Sequence, residues 1–159
     1  MSPPVRPRRR RRGGTTTVEA AFVLPVFLIF VFALFELCHI QMVSNMLKSS
    51  CRAAARYGAT DGVSTEDAVA VLQAKMGAVM DPDLVTVLVK NADVFDDPDG
   101  TLPETSDDYD SMSDINLSDA EPLQLFLVRG SVNYNDVAIL TLPWMGDITL
   151  TGQTIMRHE

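Results

Sequence analysis

The sequence contains few residues of the kinds that carry catalysis or covalent cross-links. It has 2 cysteines, 2 histidines and 1 tryptophan among 159 residues. It has no G-x-S-x-G segment, no phosphate-binding loop and no metal-ligand cluster, and the two histidines are expected at the membrane (His39) and in a frayed tail (His158). We therefore expect neither an enzyme nor a cofactor. Cys38 and Cys51 are 13 residues apart in one predicted helix, roughly 20 Å at ~1.5 Å per residue, which is too far to pair. They are predicted to be packed thiols, with an intermolecular bridge as the alternative.

Acidic residues are missing from the N-terminal end of the chain, and basic residues are few in the rest of it. No acidic residue precedes Glu19, whereas six arginines lie within the first 12 residues. Residues 15–159 carry the other 7 basic residues and all 21 acidic ones, a net charge of −14. Such a body repels nucleic acid, so no nucleic-acid partner is predicted. Residues 1–14, rich in proline, arginine and glycine, are predicted to be a disordered basic leader.

One long apolar run follows the leader. Residues 20–35 contain no charge or hydroxyl group, and apolar positions as far as Val43 complete a membrane span. A cleaved signal peptide is the alternative, but the eight residues directly after Phe35, ELCHIQMV, include no A-x-A site, so we expect the segment to be retained. The arginine excess before the span predicts a cytoplasmic N-terminus and an acidic body outside the cytoplasm. The helix is expected to continue to Gly58 or Gly62, because no proline or turn pair lies between residues 41 and 59.

The rest of the chain predicts an α+β body. A hydroxyl cap followed by acidic residues indicates a short helix over 65–79, and residues 81–83 form a turn. Residues 91–121 hold 11 acidic residues and no basic one, which predicts a long solvated loop, with calcium binding as a less favoured alternative. Short links favour an antiparallel sheet. Its four expected strands cover residues 84–89, 123–134, 137–142 and 148–156.

The join between leader and helix resembles that of a known family. The basic leader ends at Gly14, and Glu19 is the fifth residue after it. Val18-Glu19, Val23-Leu24-Pro25, Glu36 and the segment from Ala54 to Ala59 follow, and the tail has Val132-x-Tyr134 and a last strand ending MRHE. These features resemble the TadE-like family of tight-adherence (Flp) pilus assembly proteins, within the type IV filament superfamily. The acidic middle is not explained by the resemblance.

The resemblance implies a pilin-like fold and a set of functional residues. It implies cleavage by a prepilin peptidase between Gly14 and Thr15, and assembly roles for Glu19, Pro25 and Glu36. The implied partners are that peptidase, other pilins and pseudopilins, an inner-membrane assembly platform and membrane lipid. Glu36 and His39 are three residues apart on the helix and could pair, although an interfacial position with both side chains wet is at least as well supported.

The expected organisation has three parts. These are a cytoplasmic basic leader (1–14), a transmembrane helix with its extracytoplasmic extension (15–59), and an extracytoplasmic α+β domain (60–159) with the acidic loop 91–121. The function expected from the resemblance is that of a minor pseudopilin or assembly component of a tight-adherence pilus, in the bacterial inner membrane. The alternative is a membrane-anchored binding protein whose acidic loop captures a ligand or cation.

Overall fold

The computed structural model describes residues 13–140, 146 and 148–159, and the predicted leader therefore lies almost entirely outside the described residues. Two compact units divide the chain, residues 1–37 and residues 38–159. The described helices are α1 (Gly13–Gly58), α2 (Thr65–Met76), α3 (Ser106–Ser111) and α4 (Tyr134–Val137), and the strands are β1 (Thr86–Asn91), β2 (Leu125–Asn133) and β3 (Thr149–Arg157). This is the expected α+β architecture.

The C-terminal part of α1 packs against the sheet within the second unit. Its buried side chains recur at helical spacing and form one stripe. Val43, Leu47, Cys51 and Ala54 are each 0% exposed and belong to the same core cluster as Phe126 and Val128 of β2. The approach is close at β3, because a Cβ on Gly152 would lie 2.8 Å from the backbone nitrogen of Lys48. A residue without a side chain is therefore required where this helix crosses the strand.

The sheet is antiparallel, and β2 lies between β1 and β3. Thr86 pairs with Ser131 at one end of the β1–β2 ladder, and Leu125 pairs with Arg157 at one end of the β2–β3 ladder. Central strand β2 is buried along nearly all of its length. Burial on both faces explains its almost continuous apolar sequence, LFLV, in place of an alternating pattern.

The acidic segment covers the second face of the sheet. Phe95, Tyr109 and Met112 pack against Leu125 and Leu127, which point away from α1. The prediction of a long solvated loop over 91–121 is therefore wrong in part, because α3 and two short 3-10 turns lie within it. Its apolar residues are spaced between carboxylates, and the carboxylates remain largely exposed while the apolar side chains complete a small core.

The remaining differences from the prediction are local. Strand β1 begins two residues later than expected, α2 ends three residues earlier, and the described sheet has three strands where four were expected. Of the expected strand 137–142, the last two residues lie outside the described residues; Val137 ends α4, and residues 138–140 are not in a strand. His158 is not frayed: it is 3% exposed, and its backbone N–H donates to the carbonyl oxygen of Gln124 at 2.9 Å. Pairing with the segment before β2 orders the tail.

Candidate functional site: the apolar N-terminal helix

The N-terminal part of α1 is apolar on all sides and exposed. Its large apolar side chains are exposed around the whole helical circumference, among them Phe22 (75%), Val26 (67%), Ile29 (56%) and Phe35 (65%). The most apolar window of the helix has a mean hydropathy of 2.6, and only 6% of it is buried in the chain. The described chain leaves these large apolar side chains exposed, and the length and composition of the helix suit a membrane span.

Glu19 lies in the first turns of this helix and is exposed. The predicted processing residues Gly14 and Thr15 precede it, also within α1. Pro25 lies inside the helix. Because proline has no backbone N–H, the carbonyl of Ala21 lacks its usual donor one turn later. The structure therefore brings the start of the helix, a carboxylate and an unsupported carbonyl onto one exposed apolar segment.

Glu36 and His39 do not share the wet environment that was expected of them. Glu36 is 1% exposed, so the prediction that its side chain is solvated at the membrane surface is wrong. His39 is half-buried, and its ring lies 6.3 Å from the ring of Tyr134, which is itself buried. The apolar run around Glu36 predicted an interfacial position, because spacing along one helix does not reveal which side chains are buried.

The two cysteines lie in different environments. Cys38 is exposed and Cys51 is buried, and both are free thiols, so the prediction of two packed thiols holds only for Cys51. The thiol of Cys51 donates a hydrogen bond to the carbonyl oxygen of Gly152 at 3.2 Å. Burial raises the pKa of Cys51 to about 11, which keeps it protonated and unreactive at neutral pH.

The acidic segment forms local caps and ion pairs. Asp114 pairs with Lys90 at 2.7 Å and Asp96 pairs with Arg157 at 2.8 Å. The backbone N–H of Thr105 donates to Asp108 at 2.8 Å, and hydrogen bonds of this kind lower the pKa of Asp108. Within the described residues, no group of three or more potential ligands could hold a metal ion.

A basic cleft at β3 was missed by the sequence reasoning. Lys48, Arg52, Tyr109, Arg129 and Gln153 line one polar cavity in the second unit. Arg129 is the most buried of these basic residues, at 6% exposed. The only sequence signal was an arginine within the apolar run of β2, since charged residues rarely enter a buried strand without a role.

These features define a class of protein: an N-terminal apolar helix that fits a single membrane span, followed by an α+β body. The comparisons agree with that class. Residues 14–56 match the family model described as TadE-like protein, as the resemblance predicted. The match includes Gly14, Glu19, Pro25 and Glu36. TadE-like proteins are components related to the tight-adherence (Tad) pilus, and such pilus components are generally non-enzymatic. No curated protein and no solved structure matches the chain.

Proposed function

We propose that this protein is a minor pseudopilin or assembly component of a tight-adherence (Flp) pilus. The observation that carries the proposal is the family match, which begins at Gly14 and covers the helix with its exposed apolar surface. In this proposal the leader is cytoplasmic, the span lies in the bacterial inner membrane and the body is extracytoplasmic. The helix then packs laterally against the helices of other pilins and pseudopilins and against the assembly platform.

The orientation is supported by the arginine excess before the span. A reporter enzyme that works only outside the cytoplasm should be active when it is fused after Glu159. A second reporter that works only in the cytoplasm should be inactive at the same position. Six arginines precede the span, so a matched variant with these arginines replaced by glutamine should weaken the orientation preference. Activity of the cytoplasmic form in the original protein would contradict the topology and the pseudopilin assignment with it.

Processing is proposed to occur between Gly14 and Thr15. A peptidase at the membrane face needs an extended, unhindered chain at the cut, which glycine provides. The variant Gly14→Leu should accumulate as the full-length precursor, whereas Gly13→Leu, one residue further from the cut, should be processed. N-terminal sequencing of protein extracted from its own host checks both. A native protein that begins at Met1 or Ser2 would leave the chain as a plain membrane anchor.

Glu19 is proposed to act in assembly. Its side chain is exposed, whereas Glu36 is buried in the chain, so of the two carboxylates only Glu19 is available to a neighbouring subunit. A carboxylate next to an apolar span is costly unless it is paired, and the freed amine of a neighbour's Thr15 would pair with it. Glu36 is then proposed to act in assembly only indirectly, through its own subunit. Pro25 leaves the carbonyl of Ala21 without a donor in its own helix, and a neighbouring helix or water would donate to it.

The test of Glu19 is a split phenotype. Glu19→Ala should reach the membrane and be cleaved at normal levels, because removing a charge does not hinder insertion. Cross-linking to pilin partners and the number of pili should fall, because a neighbour's amine is left unpaired. Glu66→Ala is the matched control, since it removes an exposed carboxylate from α2. Normal piliation in Glu19→Ala would show that Glu19 is only an interfacial residue.

A further inference from the structure

The two edges of the sheet differ in how they are covered. At the outer edge of β1, Lys90 bridges Asp114, and the backbone N–H of Asn91 donates to the carbonyl of Ser113 at 2.8 Å. Strand β3 pairs with β2 on one side, and no other residue of the described ranges pairs with it. An uncovered edge strand is usually protected by charge or proline. Strand β3 is nine residues long, contains no proline and has its single charge, Arg157, at one end.

The register shows which backbone groups of β3 point outward. The N–H of Tyr134 donates to the carbonyl of Ile148 at 2.8 Å, and the N–H of His158 donates to that of Gln124 at 2.9 Å. Both bonds join residues that continue the β2–β3 pairing by one position beyond its ends. Bonded pairs alternate in an antiparallel ladder, so even-numbered residues of β3 face β2. The N–H and C=O groups of Thr151, Gln153 and Ile155 therefore point to the open edge.

A basic cavity surrounds this edge. Its volume is about 530 Å³, and it is lined from both faces of the strand. Thr154 lies on the face toward α1, whereas Thr151 and Gln153 lie on the opposite face. On the α1 side the cavity is lined by Lys48 and Arg52. Since side chains from both faces meet one cavity, the cavity lies around the edge itself.

Arg129 supplies the positive charge on the second face. It is 6% exposed, and its guanidinium donates to Gln153 Oε1 at 3.1 Å and to Ser106 Oγ at 3.0 Å. Its Cζ atom lies 4.3 Å from the centroid of the Tyr109 ring. All these partners are neutral, and no carboxylate of the described residues lies within 4.0 Å of it. Residues 15–159 carry a net charge of −14, yet none of these carboxylates pairs with Arg129 in the described residues. Burying a cation without a counterion costs free energy.

We propose that the outer edge of β3 binds an extended, acidic segment of a partner polypeptide, which adds to the sheet as a fourth strand. Main-chain hydrogen bonds to the outward groups would supply affinity, as in other cases of strand addition. Successive side chains of an added strand point to opposite faces. One set of carboxylates therefore meets Lys48 and Arg52, and the next meets Arg129. Among the described residues that line the cavity, Glu104 is the one acidic residue, and it opposes binding. This inference does not depend on the proposed pilus role.

The experiment measures peptide binding to the full-length protein in detergent micelles by fluorescence anisotropy. The probe is a fluorescein-labelled heptapeptide of threonine and valine that contains two adjacent pairs of glutamates. The same peptide with glutamine in place of glutamate should bind about tenfold more weakly or worse. The acidic peptide with N-methyl groups on alternate residues should lose binding to a similar extent, because it cannot pair with the strand edge. The proposal is overturned if either altered peptide binds as tightly as the unmodified acidic peptide.

Variants of the protein locate the site. Lys48→Gln/Arg52→Gln should weaken binding of the acidic peptide about tenfold. The matched control, Arg56→Gln/Lys75→Gln, removes the same charge outside the cavity and should change binding by less than about twofold. Glu104→Gln should tighten binding. Equal losses in the two double variants would show non-specific attraction and overturn the proposal.

Two further measurements separate the other occupants. Inorganic phosphate should compete no better than sodium chloride of equal ionic strength, and stronger competition would show a simple anion site. Unlabelled Lys48→Gln/Arg52→Gln protein should not displace the peptide. Displacement would show that the acidic segment of a second copy fills the edge, which would overturn the assignment to a different polypeptide.

Discussion

The two parts of α1 have the same secondary structure and opposite surroundings. Before Cys38 the large apolar side chains are exposed on all sides, whereas after it a single stripe, beginning with Val43 and Leu47, is buried against the sheet. The later part buries this apolar stripe within the chain. The earlier part leaves its apolar surface exposed in the described chain, as a membrane span does. Exposure and sequence together, more than helix length, distinguish an anchor from a core helix.

The strongest test of this contrast is truncation of one leucine in each part. Leu47 is 0% exposed, and Leu47→Ala should lower the free energy of unfolding of the body by about 2–5 kcal/mol. Leu34 is 46% exposed, and Leu34→Ala should change the same quantity by less than about 0.5 kcal/mol. Urea unfolding in detergent micelles measures both. A similar loss in both variants would show that the two parts of the helix share one packing environment.

A charge placed in the earlier part of α1 should reduce insertion of the helix into the membrane. Ile29 is 56% exposed, and Ile29→Arg should oppose insertion by about 2.5–3.5 kcal/mol at the centre of a span. The fraction of protein that resists alkaline carbonate extraction should fall accordingly. Asn45→Arg, at an exposed site in the later part of α1, serves as the control and should remain fully inserted. Normal extraction resistance of Ile29→Arg would argue against a membrane span.

The close crossing of α1 and β3 leads to a prediction with a smaller expected effect on stability. A Cβ at residue 152 would lie 2.8 to 3.0 Å from the backbone of Leu47 and Lys48, which cannot move aside as a flexible side chain could. Gly152→Ala should therefore destabilise the body by about 1–3 kcal/mol. Gly146→Ala is the control, because no atom of the described residues lies within 4 Å of its Cβ position. Equal stability of the two variants would show that the crossing is looser than described.

Alkaline pH should weaken the body slightly through Cys51. Its pKa rises from 9.0 to about 11 on folding, so the unfolded chain releases this proton first. Stability is then fully present below pH 9 and is lost between about pH 9 and 11, amounting to about 1 kcal/mol by pH 10. The difference in unfolding free energy between the original protein and Cys51→Ala should shrink by that amount from pH 8 to pH 10. A constant difference would contradict the buried, protonated thiol.

Local pattern was sufficient for α1, α2 and most of the sheet. The run from Ala20 to Phe35, the absence of breakers before Gly58 and the Ser64 cap each depend on neighbouring residues, and α1 and α2 follow them. Two expected strands correspond to β2 and β3 within one or two residues at each end. The expected strand over 137–142 differs, because its first residue belongs to α4 and residues 138–140 are not in a strand. A short apolar run does not distinguish a strand from other buried backbone.

By itself the sequence determined that this protein has an apolar N-terminal helix, an acidic α+β body and a TadE-like start, because composition and helical periodicity are carried by adjacent residues. Only the tertiary structure decided that Glu36 and His158 are buried, that the acidic segment covers one face of the sheet, and that Arg129 lies at the same strand edge as Lys48 and Arg52. Those relations join residues tens of positions apart. They depend on strand register and on helix packing, which no local pattern specifies.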